Sequence, residues 1–199
     1  GCIMKNQIIV SISREYGSGG HEIAEMVSKK IGLKLYDKNI LKEIAEKNNI
    51  ALTELKEFDE KPKNVFLSRS VKGYSNSLEE NMAHMEFEYI REKAKEGESF
   101  VIVGRCSEEV LKDYEGLVSV FVKGDMEVKT ARIMERLDMN EEDAVDEIKK
   151  QDKNRRRYHN QYSEHKWGDS RYYDMCINSS RLGLEKTARL IEKYISGEI

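Results

Sequence analysis

The stretch that most constrains this chain is a β-branched run that breaks into glycines and resumes as a helical stripe. Ile8-Ile9-Val10-Ser11-Ile12-Ser13 has the pattern of a buried strand. Arg14-Glu15-Tyr16 follow, and then Gly17, Gly19 and Gly20 fall within four residues around Ser18. Ile23, Met26, Val27 and Ile31 come next at helical spacing. Strand, glycine turn and helix in this order build an anion pocket. Glycines let consecutive N–H groups point at one phosphate, and the helix N-terminus adds partial positive charge.

The usual form of such a turn is G-x-x-x-x-G-K-[ST], in which the lysine neutralises phosphate and the hydroxyl holds magnesium. With Gly19 as the second glycine, Arg14 stands at the first. Gly20 replaces the lysine, and His21 and Glu22 fall where the hydroxyl belongs. The backbone cradle is kept, while its cation and metal ligand are lost or relocated. A tight turn that binds nothing is the competing reading.

The length of 199 residues suits one α/β domain with a real hydrophobic core. With 34 Lys and Arg against 37 Asp and Glu, the net charge of −3 argues against bulk affinity for nucleic acid. Cys2, Cys106 and Cys176 form no C-x-x-C pair and the four histidines are scattered, so neither a zinc site nor a disulfide scaffold is expected. Cys106 and Cys176 read as ordinary buried cysteines. No apolar run approaches the ~20 residues of a membrane span, and no signal segment is visible. The expected compartment is the reduced cytoplasm.

Along the chain, Leu33 to Tyr36 forms a candidate second strand. Asp37 then stands at the strand end, where α/β proteins bind ligands, or caps the helix of Ile40, Leu41, Ile44 and Ala45. Residues 50–76, with the only proline, Pro62, read as helix and then loop. Leu78, Met82, Met85 and Tyr89 mark an amphipathic helix closed by Gly97, its methionines serving as core filler. Phe100 to Val103 and Leu117 to Val122 read as buried strands of a parallel sheet, with a short helix from Cys106 to Tyr114 between them. Arg105 stands at the rim of the first. A helix around Val128 to Leu137 follows, and Asn140 caps the next.

That helix turns basic at Lys149, Lys150, Lys153 and Arg155-Arg156-Arg157, with Asp152 one turn before Arg155. A solvated face of acid–base pairs is the plain reading. Three adjacent arginines cannot all point one way, however, and their forked heads suit phosphate. Tyr158 to Arg171 reads as loop, Tyr173 to Asn178 as the last strand, and Leu184 to Ile195 as the closing helix.

Taken together, Ile12 to Gly20, Tyr36-Asp37-Lys38, Val103-Gly104-Arg105, Asp152 to Tyr158 and Ile177 to Gly183 resemble the cytidylate kinase-like family, a branch of the P-loop nucleoside monophosphate kinases. The resemblance implies a five-stranded parallel sheet of order 2-3-1-4-5 flanked by helices, a monophosphate-binding subregion over residues 37–97 and a helical lid over 138–172. It implies ATP-dependent phosphorylation of CMP or dCMP. Gly17, Ser18, Gly19, Gly20 and His21 would hold the donor phosphates, and Asp37 and Arg105 would contact the acceptor. Asp152 and Arg155 match the lid's Asp-x-x-Arg. The chain departs from the pattern at Gly20, His21 and Glu22, at Cys106 where an aspartate is expected, and at Ile148 where a lid arginine is expected.

Phosphoryl transfer needs positioning and charge neutralisation more than a strong base. The first reading is therefore a kinase in which Arg14, or the lid arginines Arg155, Arg156 and Arg157, replace the missing lysine. Magnesium is then held by ATP oxygens and water, with no protein ligand assigned. The second is a non-catalytic nucleotide or anion binder with a degenerate loop. The third is an RNA-contacting surface of Arg155–Arg157 with Tyr158, Tyr162 and Trp167. The expected partners of the first are ATP and a small phosphorylated acceptor.

Overall fold

A computed structural model describes residues 6–48 and 78–197. The expectation for residues 50–76 lies outside them. The chain divides into two compact units, Tyr36–Gly97 and the remainder.

Five strands form one sheet of order β2-β3-β1-β4-β5. They are β1 (Ile9–Arg14), β2 (Lys34–Tyr36), β3 (Phe100–Val103), β4 (Leu117–Lys123) and β5 (Met175–Asn178). The pairs of β1 with β3, β1 with β4, and β4 with β5 are parallel. Parallel strands need crossovers, which the alternating strand and helix patterns supply. β3 is buried along its whole length and β1 to its penultimate residue, as expected of strands covered on both faces. Val10, Ile12, Val101, Val103, Val120 and Val122 pack with Ile23, Ala24 and Val27 of α1 (Gly20–Ile31) into the main core.

The smaller unit contains α2 (Asn39–Asn48) and α3 (Leu78–Lys95). Tyr36 meets Tyr89 edge to face, at 6.0 Å between ring centroids. Met82 is buried and Met85 half-buried, as apolar filler should be. Gly97 ends α3 at φ 81°.

The larger unit continues with α4 (Ser107–Val110), α5 (Met126–Leu137) and α6 (Glu141–Tyr162). After β5 come α7 (Ser179–Leu182) and α8 (Leu184–Ser196). Asn140 caps α6, its side-chain oxygen accepting from Asp143 N at 2.9 Å. Two expectations are corrected. α6 runs on to Tyr162, so the first residues of the expected loop are helical. Its buried positions are Ala144, Ile148, Asp152 and His159, and polar residues at the last two hide the helical period from an apolar count. Cys176 is exposed because its strand, β5, lies at the sheet edge.

Candidate functional site

The glycine turn leaves the C-terminal end of β1 and enters α1. Glu15 N still donates to Val122 O at 2.9 Å, continuing the sheet ladder. Gly17 and Gly19 then adopt φ of 82° and 79°, a left-handed conformation that costs a glycine little. Ser18 Oγ donates back to Glu15 O at 2.7 Å. Ser179 Oγ donates to Ser18 O at 2.6 Å and so fixes the turn from the far side of β4. Among the described residues, the N–H groups of Gly17, Gly19 and Gly20 meet no hydrogen-bond acceptor. These glycines are buried, and orphaned donors in such surroundings call for an anionic or polar partner.

Gly20 stands where a lysine would normally rise, and the structure explains the exchange. A Cβ on Gly20 would lie 2.3 Å from Arg14 Cβ and 2.6 Å from Arg14 Cγ. A Cβ on Gly104 would lie 2.8 Å from Arg14 Nη1. The stem of Arg14 therefore crosses Gly20, and its guanidinium reaches over Gly104 at the end of β3. Glu15, next to Arg14 in sequence, is engaged elsewhere. Its carboxylate accepts from Gly124 N at 3.0 Å and from Lys129 Nζ at 3.1 Å.

Residues of α6 are anchored on the same segment. Asp152 Oδ1 accepts from Tyr16 N at 2.7 Å. Arg155 Nη1 donates to Arg14 O at 3.1 Å, and the Arg155 guanidinium lies 5.3 Å from the centroid of the Tyr16 ring. Burial raises the Asp152 carboxyl, against the pull of the Tyr16 amide and Lys129. Burial likewise lowers Arg155, opposed by Asp152. The three arginines diverge as expected. Arg156 lies 5.6 Å from the Trp167 ring centroid, and Arg157 is exposed.

His21 is half-exposed beside Glu25, 3.7 Å away one helical turn on. Arg105 follows β3 at φ 59°. Asp37 belongs to the smaller unit, where its Oδ1 accepts from Asn39 N at 3.0 Å at the start of α2.

Three cations of α5 escaped the sequence reading. Lys129 is 3% exposed and its backbone oxygen would meet a Cβ on Gly17 at 3.1 Å. Arg132 Nη1 donates to Gly17 O. Arg136 also lies close to Tyr16, 5.2 Å from its ring centroid. Their spacing of i, i+3 and i+7 was the available signal, hidden by the interspersed acids Glu127 and Glu135.

This site can hold a polyphosphate: backbone donors lie at a helix start, with guanidinium groups from β1, α5 and α6 around them. No helix among the described residues is long and apolar enough to cross a membrane.

The sequence pattern of the cytidylate kinase-like family matches residues 9–181. A cytidylate kinase of Methanococcus vannielii is 25% identical over 191 residues, covering 94% of this chain and 99% of its own. A cytidylate kinase of Pyrobaculum islandicum is 25% identical over 190 residues, covering 94% and 92%. An uncharacterized protein from Eubacterium ventriosum superposes with a TM-score of 0.76 at 39% identity, covering 96% of this chain and 99% of its own. A shikimate kinase from Bacteroides thetaiotaomicron shares the fold at a TM-score of 0.56 and 14% identity, covering 95% and 98%.

Proposed function

The chain belongs to the cytidylate kinase-like family, and on that premise we propose that it transfers the γ-phosphoryl group of ATP to a nucleoside monophosphate, CMP or dCMP by family resemblance. An oxygen of the acceptor phosphate forms the new bond to phosphorus. The bond between that phosphorus and the β-phosphate oxygen breaks, and ADP leaves. The amides of Gly17, Gly19 and Gly20 would grip the donor phosphates. Arg14 would supply the fixed cation that a lysine at residue 20 usually gives.

The interlock of Arg14 with Gly20 and Gly104 carries this reading. A stem seated on one glycine, with its head over another, keeps an arginine in a defined place beside the orphaned amides. Arg155 holds the Arg14 carbonyl and Asp152 holds the Tyr16 amide, so both act as positioning residues. Arg156 would close over the donor from a lid spanning 138–172. Asp37 and Arg105 would contact the acceptor monophosphate.

The residues suit ATP but give magnesium no hydroxyl ligand. His21 and Glu22 take the usual hydroxyl position, and Ser18 Oγ is bonded to Glu15 O. Magnesium carried on ATP oxygens and water would add charge neutralisation.

The test is ADP release with Mg-ATP across a panel of nucleoside monophosphates, beside a control lacking acceptor. Release that depends on CMP or dCMP is expected, and Arg14→Ala should lower kcat about 10²- to 10³-fold with the fold retained. ATP binding without acceptor-dependent release would reject the kinase reading in favour of a non-catalytic binder.

A further inference from the structure

Behind the turn that follows β3 lies a second group of chemically capable side chains, separate from the orphaned glycine amides. Cys106, Glu108 and His159 are all buried, and one ligand atom from each lies within 4.8 Å of the others. Cys106 comes from the turn and Glu108 from α4, while His159 lies in the last turn of α6. Sequence spacing could not reveal the group, because more than fifty residues separate Glu108 from His159 and the third donor is a lone cysteine.

We propose that Cys106, Glu108 and His159 form a binding site for a zinc-class divalent cation. The donor set is a thiol, a carboxylate and an imidazole, the mixture that borderline-soft ions such as Zn²⁺ select and that hard Mg²⁺ does not. Ligands at ~2.0–2.3 Å from zinc stand roughly 3.3–3.8 Å apart in a tetrahedron. Glu108 Oε1 and His159 Nε2 are in direct hydrogen-bond contact, so an ion would enter by parting that pair while the Cys106 sulfur moves in.

The surrounding groups are those a metal site needs. The His159 Nδ1 faces Asn160 Oδ1 at 3.4 Å, which leaves Nε2 turned toward Glu108. Ser13 Oγ donates to one Glu108 oxygen at 3.3 Å, and the Tyr173 hydroxyl donates to the other at 3.2 Å. Glu108 and His159 also form part of the wall of a cavity of about 190 Å³, together with Glu109, His165 and Tyr173. The cavity gives an ion a way in and leaves room for water or a small ligand at a fourth position.

Burial and the neighbouring carboxylates push the Cys106 thiol up, so the ion must displace its proton. On ligation the S–H bond breaks and its electron pair forms the sulfur–metal bond; the proton shared by His159 Nε2 and Glu108 Oε1 leaves as well, which frees the nitrogen lone pair, and both protons pass to solvent. The competing account is a plain Glu108–His159 ion pair that fastens α6 to α4. It explains two of the three residues. Cys106, held at φ 53°, donates from Sγ to the His159 backbone oxygen at 3.9 Å, which keeps beside the pair a thiol that the pair itself does not use.

The experiment uses the full chain, chelator-treated and free of nucleotide, so its result is independent of the phosphoryl-transfer reading. Titration with Co²⁺ should give one equivalent of visible d–d absorption and a near-ultraviolet thiolate-to-metal band, both abolished by Zn²⁺ but not by millimolar Mg²⁺. Cys106→Ser should remove the thiolate band, and His159→Gln should weaken Co²⁺ binding at least about tenfold. A chain carrying both Cys2→Ser and Cys176→Ser should keep the full spectrum. Circular dichroism of each variant separates lost binding from lost folding. Absence of the thiolate band in the folded parent, or its persistence in Cys106→Ser, overturns the proposal.

Discussion

The turns after β1 and β3 leave neighbouring parallel strands at the same sheet edge, yet they work in opposite ways. The first relies on backbone. Its left-handed positions are glycines, the N–H groups of Gly17, Gly19 and Gly20 meet no acceptor among the described residues, and cations reach it from β1, α5 and α6. The second relies on side chains. Gly104, Arg105 and Cys106 have φ of 69°, 59° and 53°, so two residues with a Cβ sit where one costs about 1–2 kcal/mol each. That strain aims Cys106 inward and starts the helix carrying Glu108. An anion cradle needs donors that any peptide bond has, so it needs bare backbone. A cluster of distinct chemical groups needs side chains, and strain is the cost.

The two turns meet at Arg14, and the strongest way to break the contrast is to put a side chain on Gly20. Gly20→Lys restores the usual motif lysine but collides with the Arg14 stem. Turnover should fall about 10²-fold, the scale expected of a misplaced catalytic group. The exchange Arg14→Gly with Gly20→Lys should recover at least about tenfold of that loss, about 1.4 kcal/mol. Steady-state kinetics of the three proteins decide it; a double variant no better than the single one removes Arg14 from the cation's role.

Next is the buried cation behind the first turn. Lys129→Met leaves the Glu15 carboxylate without its ammonium partner while Gly124 N stays bonded. Urea denaturation should show about 2 kcal/mol of lost stability. This is below the 3–5 kcal/mol of a fully buried pair because Glu15 is partly solvated. Adding Glu15→Gln should return part of it.

Gly104→Ala tests the second turn and its grip on the Arg14 head together. The left-handed conformation costs about 1–2 kcal/mol for an alanine, and the new Cβ presses on Arg14 Nη1. Stability should drop by that amount. Turnover should fall less than in Gly20→Lys, because only the guanidinium and not the stem is displaced.

The smallest effect concerns Asp152, whose carboxyl is raised in the folded state. The folded protein then holds more protons than the unfolded chain between the two pKa values. Its contribution to stability therefore rises as pH falls through the folded value, and is complete below the unfolded one. Asp152→Asn keeps an oxygen for the Tyr16 amide and removes the buried charge. Its stability at neutral pH should match the parent within about 1 kcal/mol, and the acid-side gain should vanish from urea midpoints followed against pH.

Much of the architecture was legible in advance. β1, α1, β3, β4, α5 and α8 stand where apolar periodicity placed them, because burial on two faces or on one stripe writes itself directly into residue type. The end of α6 was not legible, since it buries Asp152 and His159 instead of apolar residues. The glycine turn and the divergence of Arg155, Arg156 and Arg157 could be read from sequence. Lys129, Arg132 and Arg136 could not, because a charged helix stripe looks the same whether it faces water or a loop.

By itself, then, the order of residues determined a parallel α/β sheet, a glycine turn between its first strand and first helix, and membership of a kinase-like family. Each rests on local pattern: periodicity, the freedom of glycine, and neighbours in sequence. Only the tertiary structure decided that Arg14 lies across Gly20 and Gly104. It also decided that α6 docks on Tyr16, and that Cys106, Glu108 and His159 converge. Those facts depend on distances between segments far apart in the chain, which parallel crossovers bring together and no local spacing records.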